Sequence, residues 1–340
     1  MKNKARRQVF SLLLSLCMAL ALLPAAPVQA MDDPSDLGSI TSVYGDSDFF
    51  ANYEPAIQAV ALGMEQKLPS IDLSEFPIMS DSSESISSIG SAIYLTALYQ
   101  HPEFFWVDDT VGISYYNSGP IYELSSLTPH YFQYEDGNFE PMKTMFEAEA
   151  ERYLDMVRNN PTVYNDDFSR ALLLHDELVL DVAYMIDPYG QNSNYRFLAE
   201  KLGICENYSR IYAYLLSQLG ISCEMVFSDD MEHEWIKLCL DGTYYHVDLT
   251  WDDPEPDMPG RVPHTCFLLS DERIQSEDMG DKRHYNYGSL YPSDDTRFDN
   301  AAFHAYRYKL CKLTEEPILY AIGAQGLVSY QYQNDLEPNC

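Results

Sequence analysis

The sequence predicts an α+β protein in which helices pack against an antiparallel sheet. Apolar residues recur at steps of three and four through residues 168–182 and 208–219, and an Asp-Gly pair at 241–242 separates two alternating extended runs. The chain has 340 residues, 46% of them hydrophobic, enough to bury a sizeable core in one large or two ordinary domains.

Residues 1–30 read as a targeting segment and stand outside the fold argument. Lys2, Lys4, Arg6 and Arg7 make a basic start, residues 9–23 are apolar, and Val28-Gln29-Ala30 is a small-residue cleavage site. The apolar stretch falls short of the roughly 18 residues that a membrane span needs, and Pro24 and Pro27 interrupt its end. The expectation is a signal peptide cleaved after Ala30, a secreted or cell-surface location, and no membrane span.

Acidic residues number 53 against 21 Lys and Arg, for a net charge of −32, and the targeting segment holds four of the basic residues and none of the acidic ones. A surface of that sign repels phosphate backbones and anionic lipid, so nucleic acid and membrane surfaces are disfavoured as partners. The acidic residues are spread along the chain, as solvated surface would be.

Beyond residue 30 lie Cys205, Cys223, Cys239, Cys266, Cys311 and Cys340, too sparse for a disulfide-stapled scaffold. If Cys205 is a free nucleophile, the other five cannot all pair within one chain. No CxxC or HExxH is present, which predicts no metal and no cofactor.

In chain order, residues 56–64 and 89–99 have helical spacing, residues 104–107 and 111–116 look extended, and Pro141 suits the first position of a helix. Residues 31–160 are expected to form an accessory α+β region, 161–300 the domain that holds the motifs below, and 301–340 a β-rich tail with a terminal hairpin around Gly323 and Gly326. The helix through 168–182 carries His175 on its apolar face, where a lone histidine is read as a core group. The helix through 208–219 starts at or beside Cys205 and ends at Gly220. A strand near 221–227, a loop at 228–232 and the hairpin follow.

The hairpin's register follows from its turn. With Asp241 and Gly242 as the turn residues, Leu240 faces Thr243 and Trp235 faces Asp248, so His233 and Asp248 share a face as diagonal neighbours. The opposite face, Ile236, Leu238, Leu240, Tyr245, Val247, Leu249 and Trp251, is a core face. A carboxylate beside an imidazole fixes its tautomer and favours its cation, as a general base requires. A thiol at a helix start, such as Cys205, is favoured as thiolate by the helix dipole. Thiol, imidazole and carboxylate together match nucleophile, base and orienting group.

The order Cys205, His233-Glu234-Trp235, Asp248-Leu249-Thr250-Trp251 resembles the transglutaminase-like superfamily, in particular its secreted bacterial branch. The resemblance covers roughly residues 166–275, including LLLHDELVLDVAYMID before the cysteine and CFLLSDERI after the triad. It implies a papain-like core, a Cys205, His233, Asp248 triad and acyl transfer from a carboxamide of a protein or peptide substrate, cell-envelope material included, through a thioester on Cys205. With water as acceptor the protein is a protease or amidase, the reading favoured here; with a lysine amine it is a crosslinking transglutaminase. The competing class is a non-catalytic surface protein that keeps the fold for binding. This chain departs from the family with Asn207, Tyr208 and Ser209 where Gly-Tyr-Ala is frequent, and with Ile236 where Asn is frequent. Tyr208, Trp235 and Trp251 are candidates to line a substrate groove, against their ordinary place in a core. Asp252, Asp253, Glu255 and Asp257 are expected in a solvated turn rather than around a cation.

The targeting segment predicts that protein collected outside the producing cell begins at Met31 by intact-mass analysis; unprocessed chain retained in the cytoplasm would count against export.

Overall fold

The computed structural model describes residues 37–42, 47–132, 139–186, 193–258 and 260–299, with the backbone of short strands at 307–308, 320–322 and 328–330. The targeting segment, Cys311 and Cys340 lie outside the described residues.

Strand β1 (Ile40–Ser42) precedes helix α1 (Ser47–Glu65), the short strands β2 (Ile71–Asp72) and β3 (Met79–Ser80), and helix α2 (Ser83–Gln100). Ser82 caps α2 by accepting the Ser85 N–H, satisfying one of the amides a helix start leaves over. β4 (Val107–Ser118) and β5 (Ile121–Tyr131) make a long antiparallel hairpin, with β2 and β3 paired along the other edge of β5. Residues 104–106 depart from the expected strand. Phe104, Phe105 and Trp106 are buried and close a turn (Val107 N to Phe104 O, 2.9 Å), because aromatic burial and the Trp106 Nε1 bond to Met64 O outweigh their β-propensity.

Helices α3 (Glu140–Arg158), α4 (Pro161–Tyr164) and α5 (Asp167–Asp181) follow, with Pro141 in the first turn of α3 and Asp166 capping α5 at 2.8 Å from Ser169 N. β6 (Ala183–Tyr184) pairs in parallel with β7 (Leu202–Gly203) across α6 (Asn194–Glu200). Helix α7 (Cys205–Ser217) buries Tyr208, Ile211, Tyr212 and Leu215, and Leu219 just past its end is buried too, the stripe that the periodicity predicts; the chain turns after it at Gly220 with φ +82°. Then come β8 (Cys223–Ser228), β9 (His233–Leu240), β10 (Thr243–Val247), the one-turn helix α8 (Leu249–Asp252), β11 (Arg261–Val262), β12 (Phe267–Leu269) and helix α9 (Asp271–Ile274). Further on, Arg307–Tyr308 pairs with β11, and Tyr320–Ile322 pairs antiparallel with Val328–Tyr330.

The central sheet has the order β1-β8-β9-β10-β12; β1 joins it in parallel and the other pairs are antiparallel. α7 packs on β8 and β9, which makes the predicted α+β arrangement of a cysteine-bearing helix on an antiparallel sheet. The β9–β10 register is the one the turn dictates, Thr243 facing Leu240 and Val247 facing Ile236. Asp241 and Gly242 both have positive φ, 51° and 81°, as a tight hairpin turn of this length requires.

The expected extent of the hairpin strand needs correction. β10 ends at Val247, and Leu249 and Trp251 lie on α8 instead of continuing the core face of a strand, because Asp248 accepts the Trp251 N–H at 3.2 Å and turns the chain into a helix. β1 is a strand of the central sheet, and one buried cluster runs from Ile40 through Phe105 and Leu154 to Leu238 and Phe298. Residues on both sides of position 160 contribute to that cluster.

Leu238 lies in β9 with no exposed surface. Leu238→Ala is expected to cost about 2–5 kcal/mol, read as a lower urea midpoint at unchanged slope.

Candidate active site

Residue packing fixes the start of α7 before any chemistry is considered. Gly203 lies where a Cβ would come within 2.6 Å of the Phe197 ring, so the chain before Cys205 can approach α6 only without a side chain. Asn207 Oδ1 accepts the Ile204 N–H at 3.2 Å, its Nδ2 donates to Asn194 Oδ1 at 3.1 Å, and Asn194 in turn donates to Pro102 O. Ser209 Oγ lies 2.8 Å from Cys205 O and 2.9 Å from Glu234 O, bridging the cysteine's turn to the strand that begins at His233. Arg210 makes a second bridge. Its guanidinium reaches Glu206 at 2.5 Å and Glu234 at 3.5 Å, the residues that follow Cys205 and His233, and lies 4.8 Å from the Tyr99 ring. Burial pushes Glu234 up to about 8 although Arg210 pulls the other way.

These braces bring Cys205, His233 and Asp248 together. His233 Nε2 donates to Asp248 Oδ2 at 2.7 Å, and the Cys205 thiol lies close enough to act on the same ring. With Nε2 committed to the carboxylate, Nδ1 is the nitrogen left for the thiol. Burial disfavours the imidazolium, but the Asp248 carboxylate, with the bond to Asp248 and the Cys205 thiol, pushes His233 up to about 10. Burial would raise the Asp248 carboxyl as well; His233 beside it, with bonds from His233 and His284, holds it well below the usual carboxylate range. Asp248 is 1% exposed while Cys205 is partly exposed, so solvent meets the site at the thiol. The other described cysteines are free thiols: Cys223 and Cys266 are buried, and burial pushes up the thiols of all three.

The three aromatic candidates separate. Trp251 is half-buried and stacks on the His233 ring at 4.9 Å with a 17° interplanar angle. Tyr208 and Trp235 have no exposed surface and therefore do not line a groove. Tyr208 donates to Asp253 at 2.5 Å, and Trp235 donates through Nε1 to His246 Nδ1 at 2.8 Å. His246 Nε2 meets Asp271 at 2.8 Å, and burial pushes His246 down to about 3, so it stays neutral and able to accept from Trp235. Both side chains support the site from beneath because their polar atoms find buried partners.

The solvated turn expected at 252–257 is correct only for Glu255 and Asp257. Asp252 is fully buried, accepts the Cys266 N–H at 2.9 Å and faces His175 Nε2 at 3.2 Å; Asp253 is 7% exposed, and burial pushes it up to about 7 against the Tyr208 bond. His175 is thus the core group expected, held between Asp252 and Asp176, and it ties α5 to α8. Two groups of described residues have ligand atoms close enough to share a cation: His175, Asp176 and His264, and His233, Asp248 and His284. In both, the closest separations of 2.7–3.1 Å are those of imidazole to carboxylate hydrogen bonds.

His284, missed in the sequence, donates through Nε2 to Asp248 Oδ2 at 2.9 Å and lies 4.2 Å from the Trp251 ring. It stands 36 residues beyond its partner, outside any strand or helix, where no periodicity marks it.

The model of the family described as the transglutaminase-like superfamily matches residues 155–249, which hold Cys205, His233 and Asp248. No curated protein matches the chain. Among solved structures, a candidate protease from Parabacteroides distasonis ATCC 8503 is similar at 11% identity over 39% of this chain and 35% of that one, with a TM-score of 0.24. A candidate cysteine protease from Cytophaga hutchinsonii is similar at 12% identity over 44% of this chain and 65% of that one, with a TM-score of 0.23. The chain therefore spans about a third and just under two thirds of those two proteins' lengths, and overlaps this partial carry no weight beside its own sheet and helices.

Because the folded pKa of His233 lies above its ordinary 6.5, the stability it contributes is complete below about pH 6.5 and is lost as pH rises through about 10. In urea titrations from pH 6 to 10.5, the gap between the wild type and His233→Gln should be widest at the acid end and close through about pH 10; a gap independent of pH would show that Asp248 does not stabilise a cation there.

Proposed function

We propose that this chain, with its transglutaminase-like segment, is an exported cysteine hydrolase of protein or peptide amides, in which Cys205 is the nucleophile, His233 the acid and base, and Asp248 the orienting carboxylate. The observation that carries the reading is one imidazole bonded to Asp248 at 2.7 Å and acted on by a partly exposed thiol at the start of a 13-residue helix.

The Cys205 thiolate, formed by transfer of its proton to His233, attacks the amide carbon. The Cys205 N–H belongs to the first turn of α7, whose amides have no intrahelical acceptor, and supplies one donor to the oxyanion. His233 then passes its proton to the departing amine and the thioester remains. Water attacks the thioester while His233 takes its proton, and release of the carboxylic acid returns that proton to the thiolate. Asp248 keeps Nε2 protonated throughout and supports the cation that forms in each half.

Water is favoured over a lysine amine as acceptor because hydrolysis asks for no channel that shields the thioester and admits a second substrate. The acidic chain attracts basic peptides as readily as lysine acceptors, so charge does not decide between them. Purified protein and Cys205→Ala should be incubated with a backbone peptide library, a glutamine peptide and a labelled primary amine together, with products read by mass spectrometry. Cleavage or deamidation that Cys205→Ala abolishes is expected. Amine adducts exceeding both would show a crosslinker, and no Cys205-dependent product would favour a protein that keeps the fold for binding.

A further inference from the structure

Asp248 serves two histidines. His233 and His284 both place Nε2 on the same oxygen, Oδ2, at 2.7 Å and 2.9 Å, while Oδ1 accepts the Trp251 N–H at 3.2 Å. His284 Nδ1 lies 3.1 Å from Lys282 O. Nε2 faces the Asp248 carboxylate, which can only accept when ionised, so Nε2 is the donor in that 2.9 Å bond. The ring has no exposed surface and is clamped between Trp235, at 4.5 Å and 68°, and Trp251, at 4.2 Å and 50°. Its backbone N–H donates to Ile274 O at 3.0 Å, so the loop that carries it is tied to α9.

We infer that His284 is a positioning residue for the Cys205 reaction: its Nε2–H fixes the Asp248 carboxylate so that His233 holds Nε2 on Asp248 and turns Nδ1 to the thiol. A carboxylate with one partner can rotate about its Cα–Cβ and Cβ–Cγ bonds and take the imidazole with it. The Trp251 N–H holds Oδ1 at 3.2 Å, and His284, fixed between the two tryptophans, adds a second donor on Oδ2, the oxygen that holds His233, which narrows that freedom further. The packing of the ring between two tryptophans is a separate contribution, and substitutions can tell the two apart.

The inference rests on the proposed role of Cys205, so the test begins there. The rate of Cys205 carboxymethylation by iodoacetamide at pH 7 is followed by peptide mapping in the folded protein, beside Cys223, Cys239 and Cys266. In the wild type Cys205 should react fastest. His284→Phe keeps a ring between the tryptophans but has no donor, and His284→Asn reaches the Lys282 carbonyl but stops short of Asp248. Both should slow Cys205 by about tenfold or more, the scale seen when an outer-shell partner is removed. His284→Gln, whose amide nitrogen falls near the place of Nε2, should stay within a few-fold of the wild type. Circular dichroism and urea midpoints confirm that each variant is folded, and if His284→Phe is not, the His284→Asn and His284→Gln pair still decides. Unchanged rates in His284→Phe or His284→Asn, or equal slowing in all three, would overturn the positioning role, as would stoichiometric zinc in the wild type that His284→Gln loses. Absence of any preference for Cys205 in the wild type would overturn the reading of the site and this inference with it.

Discussion

The site depends on a buried carboxylate, Asp248, that is fully occupied by donors. Its oxygens accept His233, His284 and the Trp251 amide, and its own N–H donates to Cys266 O at 2.9 Å. An isolated charge at 1% exposure would be unstable by several kcal/mol and would neutralise; with these partners it remains an anion and sets the state of the ring beside it. The same residue ends β10 and caps α8, so the switch from strand to helix and the orientation of His233 are consequences of one side chain.

Around it, secondary-structure elements are tied together by buried polar contacts as well as by apolar packing. Cys266 braces α8 at both ends, its carbonyl taking the Asp248 amide and its amide donating to Asp252. His175 joins Asp252 to α5, and Arg210 and Ser209 join α7 to β9. Each such contact contributes little net free energy, since burying the groups costs nearly what their pairing returns. Their effect is geometric. Removing one partner leaves the other buried and unpaired, which penalises any arrangement that moves the thiol away from the imidazole.

The departures from the familiar pattern after the cysteine also have local explanations. Asn207 supplies a side-chain cap that a glycine lacks, and the Ser209 hydroxyl replaces the methyl of an alanine with a bond to the neighbouring strand. Trp251, stacked on His233, is the aromatic candidate left with exposed surface.

What the sequence determined by itself was local or followed from a local rule. The apolar stripe of α7, its start at Cys205 and the turn at Gly220 come from spacing and from the freedom of glycine. A two-residue Asp-Gly turn specifies the whole β9–β10 register, which is why the nearness of His233 and Asp248 could be worked out from residues fifteen apart. Only the tertiary structure decided that β10 stops at Val247, that Tyr208, Trp235, Asp252 and Asp253 are buried, that β1 belongs to the central sheet, and that His284 joins Asp248. The place of β1, the burial of Tyr208, Asp252 and Asp253 and the His284 contact depend on partners 36 to 183 residues away, and a contact closed across such a loop leaves no periodic or turn signature in the segment that makes it.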